Sequence, residues 1–503
     1  MSPKHPVSPT NPPTDPPREA MMMDAERRNR GLRAAGRGVA AVAAAAVCTA
    51  AVAAAMLVPW PEHRAEPESV VVAPVESRQQ RVCPGPLLEL AEDAEAATAA
   101  TSFGSADLVT ATFPADIEVD EVPLEAPDND QADDDGAPVA IEVEPSAAEI
   151  GMLAGAQEQR ARQEMLAGLA IAACREPAAE SWLVGGSTAL GRTSLVLLAN
   201  PTDVAATVDL RIFGEEGTVE APAGLGLVVP PGTQRVVSLA GLAPDIAAPV
   251  VRVTSSGGRI AATLQQSAID GLVPAGVELI APAAAPSDQA RIPGFVVAEE
   301  GGVPVDEDHL DGDGFPALRL LAPGADDVEA TVSVVPEQGG ARTSIDVSLL
   351  AGQTIDVPLG ELSPGAYAID LVADGPVVAA ARSSFAPGEE EDDTGDFAWF
   401  PATTALIGDL AVAVPDVPAP VLHLVAAGTD DVDVVVATRG AQRDVTVPGG
   451  GGVAVTLRPG DQVVLRGVEG LHASVSSIGA RMLSSFSVEP PGPVDAPIRV
   501  YPR

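Results

Sequence analysis

Lysine is almost missing from these 503 residues: Lys4 stands alone, and arginine carries the rest of the basic charge. That excludes the phosphate-cradling Gly-x-x-x-x-Gly-Lys loop. Histidine is scarce at five residues and no Gly-x-Ser-x-Gly elbow occurs, so no nucleophile motif for acyl transfer is present. Aromatic residues make up 3%, too few for the stacking platforms that sugar or single-strand binding uses. Positive charge is short overall: the net charge is −42, which repels nucleic acid and leaves no nucleic-acid partner to expect. Nothing in the composition calls for a cofactor. What the chain has is Ala, Val, Gly and Pro, with 46% hydrophobic residues and 20% charged. An Ala-rich, Arg-only composition reflects a GC-rich genome, so Ala runs are not by themselves helix signals.

The first 38 residues read as a disordered, Arg-rich cytoplasmic tail, Pro-rich up to Pro17 and then studded with Arg27, Arg28, Arg30, Arg33 and Arg37. An uncharged run from Val39 to Val58 follows, closed by Pro59 and Trp60. About 20 apolar residues match the hydrocarbon core of a bilayer, so residues 39–59 are expected to form a single transmembrane helix. The basic flank holds the N-terminus inside and sends the bulk of the chain outside. A cleaved signal peptide using Ala53-Ala54-Ala55 is the competing reading, but the leader and the apolar run are both long for that role.

Two cysteines lie beyond the span, Cys83 and Cys174. An even pair in an oxidising compartment reads as a disulfide, closing a loop of about 90 residues. Residues 60–175 otherwise combine a strand near Val70 to Val75 with an irregular, mobile insertion over 88–145 containing Asp128, Asp130, Asp133, Asp134 and Asp135. Ser146 and Glu149 form a capping-box pattern before Ile150, Leu153, Leu166 and Leu169, predicting a helix over 147–173.

One stretch then occurs three times. Leu195-x-Leu197 with Asp203 returns as Leu318-x-Leu320 with Asp326 and as Leu422-x-Leu424 with Asp430. Residues two apart on a strand share a face, so each copy reads as a half-buried strand, leaving Val196, Arg319 and His423 on the exposed face. The spacing of roughly 100–125 residues is that of small β-sandwiches. Gly232, Gly352 and Gly460 each precede a further strand. Arg252 to Gln266, Ala368 to Ser384 and Ala473 to Ser487 each read as two strands across a tight turn. The opening strands are taken at Trp182-Leu183-Val184, Pro293-Gly294-Phe295 and Trp399-Phe400-Pro401. The expected architecture is mainly β: a transmembrane helix and three tandem immunoglobulin-like β-sandwich domains, over 176–292, 293–394 and 395–503, preceded by the Ala-rich acidic insertion with its one helix.

The elements Cys83-Pro84-Gly85-Pro86, Cys174 followed by Trp182-Leu183-Val184-Gly185-Gly186, and Leu195-x-Leu197-x-x-Asn200-Pro201 resemble an actinobacterial single-span envelope family known only as a domain of unknown function. The resemblance covers residues 30–503. It implies an actinobacterial envelope and transfers no activity, ligand or catalytic residue.

Metal chemistry has one sequence candidate, the loop around His309, where Asp306, Asp308, Asp311 and Asp313 alternate with glycines in the manner of a calcium loop. Leu310 and Phe315 occupy the fifth positions of any EF-hand series, so an exposed interdomain loop is the favoured reading. Glu389 to Asp393 reads as a solvated linker and Gly449 to Gly452 as a hairpin tip. His423 and His472 fall in strands, where packing is the default role. The functional expectation is a non-enzymatic, membrane-anchored extracytoplasmic scaffold contacting an envelope protein or the cell wall. A module binding wall glycan or peptide is the alternative, and a hydrolase or transferase within 88–173 the third reading.

Overall fold

Alternating burial is the rule along the strands: Ala206–Gly214 buries Ala206, Val208, Leu210 and Ile212 and exposes Thr207, Asp209 and Arg211. That pattern belongs to antiparallel sheets with one face packed and one solvated. The computed structural model describes residues 41–50, 70–72, 79–90, 100–115, 117–144, 151–163, 165–298, 315–385, 394–479, 481–492 and 498–500. It is mainly β. Residues 41–50 are helical, and Val70–Val72 pairs with Ile498–Val500. The chain divides into a unit of residues 1–72 with 499–503 and a unit of residues 73–498. None of the described helices is long and apolar enough to cross a membrane. The remainder of the expected span, with Val39 and Val58, lies outside the described residues. So do the N-terminal tail, the cap residues Ser146 and Glu149, the calcium candidates Asp306, Asp308, Asp311 and Asp313, and the acidic run 389–393.

Within residues 73–498 one strand order repeats. Over 180–280, one sheet runs Glu180–Val184, Val250–Gly257, Ala206–Gly214, Gly217–Val219, and the other Thr233–Ser238, Arg192–Asn200, Ala261–Asp270, Val273–Ile280. Over 410–488 the sheets run Leu410–Ala413, Gln462–Arg466, Val432–Thr438, Ala441–Val447, and Gly452–Thr456, Val421–Ala426, Leu471–Gly479, Met482–Val488. Over 287–401 the order is the same, but a single 21-residue strand, Gly365–Phe385, runs through both sheets. Its first half pairs with Ser287–Val297 and Val328–Pro336, its second with Ala317–Leu321 and Asp396–Pro401.

The order occurs a fourth time, in the region expected to be an irregular insertion. Gln79–Cys83, Val139–Val143 and Asp120–Pro123 form one sheet, and Asp107–Thr112, Leu153–Arg162 and Ala167–Ala173 the other. These six strands reproduce the opening, sixth and third strands and the second, penultimate and closing strands of the eight-stranded modules. A one-turn helix, Ala132–Asp135, stands where the outer strands of the other modules are made. The helix expected over 147–173 is instead the hairpin Leu153–Arg162 with Ala167–Ala173. Both faces of this hairpin are buried, so no polar stripe exists to distinguish strand from helix. Its glycines mark close approach: a Cβ on Gly155 would lie 2.5 Å from Ile141 Cδ1 and 2.8 Å from Cys174 Sγ.

Several sequence alignments shift in consequence. Asp396–Pro401, read as opening the last sandwich at residue 395, closes the preceding one, and Leu410–Ala413 does the opening. Ser287–Val297 opens the module read as beginning at residue 293. Val250–Gly257 and Ala261–Asp270 lie in different sheets, whereas Leu471–Gly479 and Met482–Val488 are a true hairpin one strand later in the order. The counterpart of Gly232 and Gly352 is the run at Gly450, because Gly460 precedes the sixth strand; Gly449 to Gly452 bridges two sheets and is no hairpin tip. The leucine pattern also slips by one in its first copy. Val196 and Leu198 point into their own sandwich core as Leu318 and Leu320, and Leu422 and Leu424, do, while Leu195 and Leu197 pack on Leu87 and Leu88 of the first module. A one-residue slip exchanges the two faces of a strand.

The modules close on one another in a circuit. The chain within or just after each opening strand covers the outer face of the next module's second strand: Leu87 and Leu88 on Leu197, Gly186 on Arg319, Pro293 and Gly294 on the sheet holding His423. Leu410–Ala413 returns to cover Ala111, Ala154 and Ala156 of the first module. Cys83 and Cys174 are joined in a disulfide that ties the first module's opening strand to the residue after its closing strand. We expect replacement of both by serine to lower unfolding free energy by about 4–5 kcal/mol in urea titrations. A loss below about 1 kcal/mol would mean that packing alone closes this loop.

Candidate functional site

The four closing strands, Ala167–Ala173, Val273–Ile280, Asp396–Pro401 and Met482–Val488, meet at the centre of the circuit. Glycine permits the approach. Gly168 and Gly276 have φ of 138° and 126°, and a Cβ would lie 2.6 Å from Asp396 Oδ1 at the first and 2.5 Å from Phe397 Cδ1 at the second. Asp396 is fully buried there. Its Oδ2 accepts the N–H of Leu169 at 3.1 Å and of Leu483 at 3.0 Å, its Oδ1 that of Phe397 at 3.0 Å, and Val277 N–H completes the set. One carboxylate thus takes an N–H from each of the four modules.

Glu278, also fully buried, lies beside it. Its Oε1 accepts Ser484 Oγ–H at 2.9 Å and Leu279 N–H at 3.2 Å, and Ser484 Oγ accepts Ile171 N–H at 2.9 Å. Glu278 Oε2 has no hydrogen-bond partner among the described residues. Burial pushes both carboxyls well above their ordinary range; the four N–H donors pull Asp396 back, while the negative charge of Asp396 pushes Glu278 further up.

The seams between modules hold the remaining buried chemistry. Arg319, 1% exposed, forms a bidentate pair with Asp356 (2.7 and 2.9 Å) and donates to the carbonyls of Gly186, Pro249 and Ala247 in the preceding module. Its guanidinium lies 4.7 Å from the centroid of Trp399. At the next seam, His423 Nδ1 is 2.7 Å from Glu337 Oε2 and Nε2 is 2.8 Å from Ser476 Oγ. The order Glu–His–Ser is that of a nucleophile relay, but the seam leaves no room for a substrate. A Cβ on Gly294 would lie 2.4 Å from the imidazole, and Ser474 Oγ–H donates to Pro293 O at 2.8 Å. His472 meets Thr403 through Nδ1 at 3.0 Å from Oγ1, and burial, then Arg291, pushes its pKa down to about 4. Where the fourth module meets the first, Arg81 pairs with Glu176 at 3.1 Å and Arg175 with Glu489, beside a cleft lined by Cys174, Leu410 and Phe486.

Sequence reasoning reached the disulfide and named both histidines, but it placed Val196, Arg319 and His423 on an exposed face. All three are buried. Glu278 and Asp396 went unnoticed. Their signal was legible: a carboxylate inside Val277-Glu278-Leu279-Ile280 or heading Asp396-Phe397-Ala398-Trp399 has no solvated face to occupy. Among the described residues no group of three or more His, Cys, Asp or Glu could hold a metal ion.

A mainly β chain of repeated strand order, closed around a buried carboxylate, is the class that fold and site define. The chain belongs to the family described as "Family of unknown function (DUF5719)", whose model matches residues 129–458, more than half its length. No curated protein matches it. Two solved structures are similar: Thermotoga maritima 1070, at 11% identity and TM-score 0.19, over 24% of this chain and 93% of that one; and a biofilm-associated protein BSP domain, at 9% identity and TM-score 0.13, over 87% of this chain and 100% of that one.

Replacing Arg319 by alanine removes the bidentate ion pair with Asp356 and the donor to three carbonyls, and we expect a loss of about 3–5 kcal/mol in urea unfolding. His472 stays neutral when folded down to about pH 4, while its ordinary value is 6.5. Its contribution is therefore complete above pH 6.5 and is lost as pH falls toward about 4. The loss reaches roughly 3 kcal/mol, and His472→Gln is expected to flatten the acid limb of the stability profile by that amount.

Proposed function

We propose that this protein is a non-enzymatic scaffold of the cell envelope, built of immunoglobulin-like sandwiches closed on one another and held to a membrane by residues 39–59. The observation that carries the reading is the placement of the reactive side chains. Glu278, Arg319, Glu337, Asp396 and His423 all lie where modules meet, none more than 7% exposed. Their polar chemistry is spent on holding modules together. What faces outward is ordinary sheet surface with Thr207, Thr331 and Asp433 on the third strands. The acidic balance of the chain suits a cationic or neutral partner.

The basic flank and apolar run support a single span with the N-terminus inside, and the composition and family resemblance support an actinobacterial envelope. A wall-glycan module is less well supported, because Trp182 and Trp399 are buried and offer no stacking face. A hydrolase within 88–173 is less well supported, since the hairpin Leu153–Arg162 with Ala167–Ala173 is buried along most of both faces.

The test is in-cell photocrosslinking from Thr207, Thr331 and Asp433 in the full chain, with a parallel chain lacking residues 39–59. The scaffold reading expects one envelope component captured reproducibly from the outer side and release of the truncated chain from the membrane fraction. Capture of abundant bystanders alone, or truncated chain that stays in the membrane, overturns it.

A further inference from the structure

The hub contains two carboxyl groups, and its geometry treats them differently. Asp396 faces N–H donors on both oxygens. A proton on it would point at a donor, so the site is built for the anion. Glu278 has donors on Oε1 alone, and the Ser484 hydroxyl proton is already committed to that oxygen. Oε2 is buried, and no group among the described residues donates to it. An ionised Glu278 would therefore place an uncompensated oxygen next to the Asp396 anion.

No neighbouring element relieves this. The strands Ala167–Ala173 and Met482–Val488 carry no titratable side chain, and Asp396–Pro401 carries only Asp396. Opposite Glu278 stands Gln266, whose Oε1 accepts Trp399 Nε1–H at 2.7 Å. The cations on adjacent elements are engaged elsewhere. Arg382 lies over Trp399 and 3.9 Å from Asp356, Arg481 lies over Phe385, and Arg160 donates to Asp416 O.

We propose that a proton held on Glu278 Oε2 is the lock of the four-module circuit, and that its loss as pH rises loosens the hub from within. The pair then carries one negative charge, on Asp396, shared among four N–H groups. A second charge on Glu278 repels the first across a fully buried site with no cationic side chain against it among the described residues, and the closing strands separate.

The linkage has a definite sign. Burial raises Glu278 above its ordinary range of 4.5, so over that interval the folded chain holds a proton that the unfolded chain has released. Stability from this group is greatest in acid and falls as pH rises, by about tenfold in the unfolding equilibrium per pH unit, until the folded Glu278 itself ionises. His472 acts only below its ordinary value of 6.5, so above it the difference in slope between wild type and a Glu278 variant reports the Glu278 carboxyl.

The experiment measures unfolding of the full chain in urea from pH 6.5 upward, for wild type and Glu278→Gln, with amide hydrogen exchange at Leu169, Val277 and Leu483. Wild type is expected to lose about tenfold in its folding equilibrium per pH unit, with exchange at the three hub amides rising beyond the intrinsic pH effect. Glu278→Gln, neutral at every pH, is expected to show a shallower slope and a smaller rise in exchange, losing the part that Glu278 carries. Equal slopes in the two proteins overturn the proposal. Should the variant not fold, infrared spectroscopy of folded wild type through the same pH series decides: a neutral carboxylic acid C=O band that vanishes on unfolding supports the lock, and its absence at every pH overturns it.

Discussion

The fold depends on Asp396 accepting four backbone N–H groups that belong to four separate stretches of chain. A strand at the edge of a sheet exposes unpaired N–H groups, and burying such an edge without acceptors costs more than most side-chain contacts return. Here the closing strand of each module is an edge. One carboxylate satisfies one donor from each, which allows four edges to converge where a purely apolar centre would strand them. Glycine at Gly168 and Gly276 is the accompanying requirement, because any side chain would displace the carboxylate or Phe397.

Convergence at the hub changes what the modules are. Beads on a string each own a core, but here the cores are shared. Leu321, Val378 and Trp399 of the third module pack with Trp182, Leu183 and Val184 of the second, and Ala154 and Leu169 of the first pack with Leu410 and Leu422 of the fourth. The mid-position on the outer face of the second strand shows how each seam is closed differently. Leu197 meets leucines, Arg319 meets an aspartate and three carbonyls, and His423 meets a glutamate and a serine. Apolar burial, a bidentate ion pair and a hydrogen-bonded imidazole thus serve one geometric role. The polar versions also fix register, since displacement by one residue would leave a buried charge without its partner.

Much of this was legible in the sequence, and the misses have identifiable causes. Short strands with turn residues between them are readable because their alternation survives wherever one face is solvated, as in Ala206–Gly214. The first module was unreadable because its strands Leu153–Arg162 and Ala167–Ala173 bury most of both faces, are rich in Ala and Gly, and carry Gln157, Glu158 and Gln159 inside. A two-sided Ala-rich strand has no period to detect, and a helix competes on equal terms. The one-residue slip at Leu195 has the same origin: Leu195, Val196, Leu197 and Leu198 are all buried, so nothing in the run says which face is the core.

By itself the sequence determined the mainly β class, the recurrence of one strand pattern, the pairing of Cys83 with Cys174, and the absence of nucleotide-loop and acyl-transfer motifs. Each follows from local composition, spacing or parity, which need no knowledge of what packs on what. Only the tertiary structure decided that the pattern occurs four times, that the copies close into a circuit, and that Glu278, Arg319, Asp396 and His423 are buried. The reason is physical. A charged residue in a strand is stable either in water or opposite a suitable partner, and those partners lie in other modules, more than 100 residues away for the donors of Asp396 at Leu169 and Val277.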